Sequence, residues 1–355
     1  MLRLEPRART SALVQAATPA LAVLATMVAG GLLFAALGKD PVEAIRMIFV
    51  QPLFDPYSRT ELLIKAAPLI LIALGLSFGF RAGIWNIGAE GQYVMGGLAG
   101  SAVALAFWNV EGIWLLPLMA LAGMAGGFMW AMIPALLKTR FNANEILVSL
   151  MLVYVATLFL SAMVSGPLRD PQGFNFPQSR IFHDSARLPI LIEGTRVHVG
   201  VLVALLSVVV AHILLTRHRF GFDVRLFGQA PRAAAFAGVN GKRITITCLG
   251  LSGAMAGLAG IFEVAGPIGQ LQPGLPVGYG FTAIIVAFLG RLSPVGILLA
   301  GFVMALTYIG GETVQFALGI PAAAISVFQG MLLFFLLAMD LLTRYRIRVL
   351  PRRAA

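Results

Sequence analysis

The sequence predicts an all-α polytopic membrane protein with about ten transmembrane helices. The chain has 355 residues, of which 59% are hydrophobic and only 12% are charged, whereas soluble domains carry roughly 25% charged residues. Apolar runs long enough to cross a bilayer core of ~30 Å recur along the whole chain. Most Lys and Arg residues lie in the short segments between these runs. That placement disfavours nucleic-acid binding, which the net charge of +11 could otherwise indicate.

The predicted spans follow one another with mostly short connections, and the eighth is short enough to be a broken or re-entrant helix. The first span follows a basic N-terminal segment. Its apolar run is longer than the ~7–15 residues of a signal-peptide core, so we predict an uncleaved helix. The ten predicted spans are residues 15–37, 61–80, 88–108, 112–137, 145–165, 197–215, 244–265, 279–290, 294–311 and 321–342.

The distribution of basic residues predicts that both termini face the cytoplasm. With the N-terminus inside, the inner segments hold 18 of the 26 Lys and Arg residues and the outer segments hold seven. This asymmetry matches the excess of basic residues found in cytoplasmic loops. We therefore predict a single transmembrane domain over residues 1–355. Outside its spans we predict a cytoplasmic N-terminal tail (1–14), an extracytoplasmic loop (166–196), a cytoplasmic loop (216–243) and a cytoplasmic C-terminal tail (343–355).

A polar segment between the second and third predicted spans carries the strongest functional signal. Residues Phe80–Gln92 have the sequence FRAGIWNIGAEGQ. Polar groups in or near hydrocarbon cost several kcal/mol unless they face protein or a water-filled cavity. We predict that Asn86, Glu90 and Gln92 line a solute pathway, with a helix-capping or packing role as the alternative for Glu90. We also predict that the Trp85 ring can stack on a base or a sugar.

Two further polar residues, Asn144 and Glu145, stand at the start of the fifth predicted span. Two interpretations remain open for Glu145. It can complement the N-terminus of that helix, where backbone N–H groups favour a negative charge, or it can contribute to the solute pathway with Asn144.

The inner segment 216–243 contains a short predicted helix between Pro231 and Gly238. Proline is favoured at the first position of a helix and glycine just past its end, and the alanines between them favour helix. A short helix with small residues and one aromatic side chain suits docking into a groove on a partner protein. An ordinary loop helix is the alternative.

These segments resemble the permease subunits of bacterial ABC importers. Phe80–Gln92 resembles the FRAGxxNIGAEGQ signature of the simple-sugar and nucleoside branch of the binding-protein-dependent family. Asn144–Leu152 resembles a second family stretch, Gly228–Asn240 resembles the cytoplasmic coupling loop, and residues 167–179 are similar to the outer loop of nucleoside-type members. The resemblance covers about residues 61–342.

The sequence departs from the family pattern at two positions. Val153 stands where the family often has Asn, and Leu226 stands in the coupling loop where a small residue is more usual. The first departure removes a polar side chain from the fifth span. The second alters the details of docking.

The resemblance implies import of nucleosides or related nucleobase compounds across the bacterial inner membrane, with a simple sugar such as ribose or galactose as the alternative. It also implies several partners. These are a second permease subunit from a related but different chain, two cytoplasmic ATPase subunits that bind ATP and Mg, and an extracytoplasmic solute-binding protein. No cofactor is expected on this chain. The implied pathway residues are Trp85, Asn86, Glu90, Gln92, Asn144 and Glu145. The implied ATPase-coupling residues are Arg225, Gly228, Pro231, Arg232, Ala234, Gly238 and Asn240.

Catalytic functions are disfavoured by the sequence. The G-x-S-x-G pattern at Gly75–Gly79 lacks the strand-turn-helix context that it requires, and no histidine follows Ser252, as an intramembrane serine protease would need. A Walker A site requires G-x-x-x-x-G-K-[ST]. Before Gly241-Lys242 the required first glycine is Phe236. We therefore predict a non-catalytic subunit without a metal site.

An ion-coupled secondary transporter is the other functional alternative. Such a transporter needs carboxylates near the middle of the membrane to bind the coupling ion. Glu90 is the one carboxylate whose position in the sequence fits that role.

Overall fold

The computed structural model describes the backbone of residues 2–6 and 12–349, and the side chains of residues 17–339. Parts of the two predicted tails, residues 1, 7–11 and 350–355, lie outside the described residues. The described chain is mainly helical. Its helices are α1 (Ala12–Ala36), α2 (Pro41–Phe49), α3 (Gln51–Phe54), α4 (Pro56–Arg81), α5 (Ala89–Ala106), α6 (Leu115–Phe141), α7 (Glu145–Ser165), α8 (Val199–Thr216), α9 (Arg219–Gln229), α10 (Pro231–Phe236), α11 (Gly241–Glu263), α12 (Tyr279–Leu289), α13 (Pro294–Leu318) and α14 (Ala322–Arg344).

Short strands and turns complete the described secondary structure. Strands β1 (Leu2–Pro6) and β2 (Tyr345–Val349) pair antiparallel, with Leu2 opposite Val349. A single 3-10 turn forms at Asp184–Ala186, and a π-helical turn, Val264–Ile268, follows α11 directly.

Each predicted span corresponds to one helix. Within the described residues, eight helices are long and apolar enough to cross a membrane: α1, α4, α6, α7, α8, α11, α13 and α14. The other two predicted spans correspond to α5 and α12. Helix α5 has 18 residues but carries Glu90 and Gln92 in its first turn, and α12 has 11 residues. The predicted all-α polytopic membrane fold is confirmed, whereas the count of ten crossings and the cytoplasmic placement of the termini stay predictions.

The described chain divides into two compact units. One unit combines the chain up to Arg59 with the chain from Leu306 onward, and in its core Phe34 stacks on Phe328 with ring centroids 5.9 Å apart. Its buried core consists of Phe34, Ala44, Ile48, Val314, Ile320, Ala324, Ile325 and Phe328. The other unit, Thr60–Ala305, contains the polar segment and the inner loop that the sequence marks as functional.

Glycines allow three helices of this second unit to pack backbone against backbone. A side chain at Gly96 of α5 would overlap the backbone of Gly257 in α11, and a side chain at Gly127 of α6 would overlap the carbonyl of Gly253 in α11. Small residues spaced four apart are typical of such close contacts between membrane helices. Helices α5, α6 and α11 therefore form one closely packed group, and the polar first turn of α5 is buried within the unit.

The loop between α7 and α8 is held against the segment after α11 by backbone hydrogen bonds. The N–H groups of Ser179, Phe182 and Leu188 donate to the carbonyls of Leu271, Gly269 and Ala265, each at 2.9 Å. Arg196 also forms a two-pronged ion pair with Glu61 of α4, at 2.5 and 3.0 Å. The loop is therefore ordered, and Ser179 itself is buried.

Candidate functional site

The polar segment begins where α4 ends. The N–H of Ile84 donates to the carbonyl of Gly79 at 2.9 Å, and Gly83 adopts a left-handed backbone with φ of +72°. Glycine is favoured at this position past a helix end because it has no Cβ to clash. The Arg81 guanidinium donates from Nε and Nη2 to the carbonyl of Leu292, at 3.0 and 2.8 Å. The end of α4 is thus bound to the turn between α12 and α13.

Asn86 and Gln92 use their amide groups inside the protein. Asn86 Nδ2 donates to Gln92 Oε1 at 2.8 Å and to Ser252 Oγ of α11 at 2.9 Å. Gln92 Nε2 donates in return to Asn86 Oδ1 at 3.1 Å. Both side chains are 1% exposed. The pair satisfies its own polar groups, as buried amides must, and joins the start of α5 to α11.

Glu90 caps the N-terminus of α12. Its Oε1 accepts the N–H of Gly278 at 2.8 Å, and its Oε2 accepts the N–H of Gly280 at 2.5 Å. Backbone N–H groups in the first turn of a helix have no partner within the helix, and a negative charge is favoured there. A side chain at Gly280 would overlap the backbone of Glu90. Glycine at that position therefore lets the two helix ends touch.

A cavity of about 430 Å³ opens beside Glu90. This volume lies within the ~300–1,000 Å³ typical of small-molecule sites, which are mostly apolar with a few polar groups. The cavity matches that description, since a carboxylate and two hydroxyl groups stand among apolar side chains. It is lined by Glu90, Val153, Tyr154, Thr157, Leu158, Pro276, Gly278 and Phe281.

Sequence reasoning found one of these lining residues, Glu90, and missed the others. Tyr154 and Thr157 are polar residues three apart on α7, which places them on one helix face. This pair of polar residues in an otherwise apolar helix is the sequence signal that could have identified them as lining residues. Phe281 carried no such signal, because nothing in the sequence indicates which helix faces α7 across the cavity.

Trp85 lies in an aromatic cluster and does not line this cavity. Its ring centroid is 5.0 Å from that of Phe80 in α4 and 5.7 Å from that of Phe288 in α12. The indole is 39% exposed. The cluster joins the C-terminal part of α12 to the end of α4.

Asn144 and Glu145 occupy helix-terminal positions. The Asn144 side chain accepts the N–H groups of Ile146 and Leu147 at 3.0 and 3.4 Å, as an N-cap residue does. Glu145 lies in the first turn of α7 and pairs with Lys138 of α6 at 3.0 Å. This geometry agrees with the first interpretation of Glu145, in which its carboxylate complements the N-terminus of α7.

The inner loop contains the short helix that the sequence predicts. Helix α10 begins at Pro231 and ends at Phe236, Gly238 has a φ of +80°, and Asn240 caps α11 through the N–H of Arg243 at 3.2 Å. In α9, Arg225 donates to the carbonyl of Gly221 at 3.2 Å.

The exposed face of α10 differs from the one that the sequence indicated. Ala234, predicted as a docking residue, is 0% exposed and lies inside this chain's own packing. Phe236 is 95% exposed, and Pro231 and Arg232 are exposed with it. Ala234 is therefore enclosed by this chain's own packing, whereas Phe236 is the exposed aromatic side chain of α10, and the docking role of this helix stays a prediction.

Gly228, at the end of α9, lies directly on the end of α4. A side chain at Gly228 would overlap the carbonyl oxygen of Arg81. The inner loop and the polar segment are thus in backbone contact, which connects the two stretches that the sequence marked as functional.

The family model described as "Branched-chain amino acid transport system / permease component" matches residues 58–337. The chain belongs to this permease family. It is 40% identical to the glucose ABC transporter permease protein TsgB13 of Haloferax volcanii, over 98% of this chain and 94% of that protein. It is 31% identical to the guanosine ABC transporter permease protein NupP of Bacillus subtilis (89% and 91% covered), and 26% identical to the nucleoside ABC transporter permease protein NupB of Lactococcus lactis (90% and 89%). No solved structure matches the chain.

These relatives confirm the resemblance that the sequence motifs indicate. The relatives are permeases named for glucose, guanosine and nucleosides, in agreement with the simple-sugar and nucleoside branch. The chain is accordingly an ABC transporter permease subunit and a multi-pass protein of the inner membrane.

Proposed function

We propose that this permease imports a nucleoside or a related nucleobase compound through a pathway that includes the cavity beside Glu90. The proposal rests on the side chains that line this cavity. Two aromatic side chains, Tyr154 and Phe281, line it and offer faces on which a planar base can stack. Tyr154 offers a hydroxyl group for a sugar, and the Thr157 hydroxyl, which donates to the carbonyl of Val153 at 3.0 Å, can still accept a hydrogen bond. Each Glu90 oxygen accepts one backbone bond and retains capacity for a second.

The charge of the cavity lining favours a neutral cargo. Among its lining residues Glu90 is the one ionisable carboxylate, and neither Lys nor Arg is among them. A phosphorylated compound would meet a carboxylate without a compensating cation, which is unfavourable in a site of low dielectric constant. Nucleosides and simple sugars are both neutral and rich in hydroxyl groups.

A simple sugar is the second candidate cargo. It is supported by the 40% identity to a permease named for glucose, which exceeds the identity to the two relatives named for guanosine and nucleosides. Aromatic faces also stack on sugar rings, so the cavity lining does not distinguish the two cargoes by itself.

The proposed assembly places ATP hydrolysis on other chains. We propose that two ATPase subunits bind ATP and Mg, that a second, related permease completes the pathway, and that a solute-binding protein delivers the cargo from outside. The sequence supports this division because no Walker A motif occurs in it. The exposed Phe236 on the short helix α10 supports docking of the inner loop on an ATPase.

Uptake measurements distinguish the two cargoes. In cells that lack this permease and regain it from a plasmid, we expect uptake of labelled guanosine to depend on the plasmid. Excess unlabelled nucleoside should compete, and excess glucose should not. Plasmid-dependent uptake of glucose that nucleosides leave unchanged would establish the sugar alternative, and the absence of plasmid-dependent uptake of either compound would contradict the proposed function.

A further inference from the structure

We propose that Arg81 and Glu90 hold the short helix α12 at its two ends, and that this clamp transmits movement of the inner loop to the wall of the cavity. The inference rests on the proposed function, in which the inner loop contacts an ATPase and the cavity carries cargo. It gives Arg81 and Glu90, which lie close together in the sequence, one shared positioning role.

The N-terminal end of α12 is held by Glu90. Both carboxylate oxygens accept backbone N–H groups, from Gly278 and Gly280, and the residue is 2% exposed. The same end of α12 forms part of the cavity wall, through Gly278 and Phe281. Any displacement of this end therefore changes the shape of the cavity.

The C-terminal end of α12 is held by Arg81. Its guanidinium donates two hydrogen bonds to the carbonyl of Leu292, which lies in the turn just past the end of the helix. Arg291 and Leu292 both have left-handed backbones, with φ of 52° and 57°. Side chains other than glycine rarely adopt this conformation, and it persists only where surrounding contacts hold it. The bonds from Arg81 are such contacts.

The inner loop reaches this clamp through Gly228. This glycine lies on the carbonyl of Arg81, so that no side chain fits between α9 and the end of α4. Packed elements transmit displacement because protein interiors are close to incompressible. A shift of α9 thus moves Arg81, and Arg81 is bonded to the turn that ends α12.

Helix α12 is short enough to move as a rigid body. It has 11 residues, it begins after Gly278 with φ of +88°, and it ends before Gly290. A glycine at the start of such a short helix can absorb the dihedral changes of a hinge motion, while Gly290 packs on the backbone of Gly296 and Ile297 in α13. The path of coupling is α9, Arg81, the turn at Leu292, α12 and the cavity wall.

The clamp can be tested on the permease alone, without any partner. Hydrogen exchange of residues 278–293 is measured in lipid nanodiscs for the unmodified chain, Arg81→Gln, Glu90→Gln and the control Arg46→Gln, which removes an exposed arginine of α2. We expect Arg81→Gln to accelerate exchange in the turn after α12, and Glu90→Gln to accelerate exchange at its start. Each change should be roughly tenfold, the size expected for loss of a charge-assisted hydrogen bond. Arg81→Lys, which keeps one donor, should lie between the two extremes.

Transmission is tested in the permease assembled with its ATPase. In a Cys248→Ala background, Phe281→Cys reports on the cavity wall through its rate of modification by a thiol reagent. We expect ATP to change this rate at least threefold in the otherwise unmodified chain and in Arg46→Gln. Arg81→Gln should keep ATPase binding but lose the ATP-dependent change.

The outcomes separate the clamp from the proposed function. Exchange rates in Arg81→Gln equal to those of the control, or an unchanged response of Phe281→Cys to ATP, would overturn the inference. Failure of the unmodified chain to bind an ATPase would instead count against the proposed function, and the exchange experiment would still decide whether Arg81 and Glu90 hold α12.

Discussion

Replacing Glu90 with Leu is expected to lower the stability of the permease and to abolish its uptake of cargo. The substitution leaves the buried N–H of Gly280 and the partly buried N–H of Gly278 without their acceptors, at a cost of about 1–3 kcal/mol for a fully buried group. Glu90→Gln keeps the shape and one good acceptor, so about half of that loss is expected. Thermal unfolding of the purified permease and uptake by cells measure the two effects.

A matched control separates this effect from a general loss of negative charge. Glu193 lies exposed in the outer loop, and Glu193→Leu should leave both the unfolding temperature and uptake unchanged. If Glu90→Leu unfolds at the temperature of the unmodified chain, the capping role of Glu90 is wrong. If it is stable but transports no cargo, Glu90 acts on the cargo and not on α12.

Replacing Phe236 with Asp is expected to prevent binding of the ATPase while the permease remains folded. Phe236 is 95% exposed on α10, so the substitution removes no internal packing. Burying a Phe side chain contributes about 1.5–3 kcal/mol, and an unpaired buried charge costs more than that. Co-purification of the ATPase with the tagged permease should therefore fall more than tenfold, and transport should be lost with it.

Two further substitutions show whether the effect is specific to that face. Phe174→Asp alters an aromatic side chain that is 94% exposed in the outer loop, and it should leave ATPase binding intact. Ala234→Asp places a charge at a position that is 0% exposed, so it should destabilise the inner loop itself. Normal ATPase binding by Phe236→Asp would reject α10 as the docking element.

The membrane fold could be predicted from the sequence because each membrane helix requires one long apolar segment of the chain. Each predicted span corresponds to a helix, including the short α12. Helix α5 is the exception, since Glu90 and Gln92 lower its hydropathy even though it packs backbone to backbone against α11 and closely against α6. High hydropathy identifies helices that lipid can surround. A helix surrounded by protein does not need high hydropathy.

The roles of the polar residues could not be predicted, because their partners lie far away in the chain. The sequence showed that Asn86, Glu90 and Gln92 need hydrogen-bond partners in an apolar setting. It did not show that Ser252 is 166 residues from Asn86, or that Gly278 and Gly280 are 188 and 190 residues from Glu90. That all three line a pathway stays a prediction, and Glu90 is the one that borders the cavity. Asn86 and Gln92 bond to each other.

The buried side of α10 could not be predicted from the sequence, for a different reason. Its six residues include three consecutive alanines, Ala233–Ala235, so the helix has no apolar and polar faces from which to infer a buried side. Tertiary packing decides that Ala234 is inside and Phe236 outside. By contrast, Pro231 and Gly238 marked the two ends of the helix correctly, because those residues act through their own backbone conformation.

In the proposed function this chain forms the pathway, and ATP hydrolysis on a separate chain drives import. The most direct measurement is uptake of labelled nucleoside into proteoliposomes that hold the permease, its ATPase partners and its binding protein, with a protonophore present. We expect uptake to require ATP and to continue when the proton gradient has collapsed. Uptake by liposomes that contain only the permease, driven by an ion gradient without ATP, would contradict it.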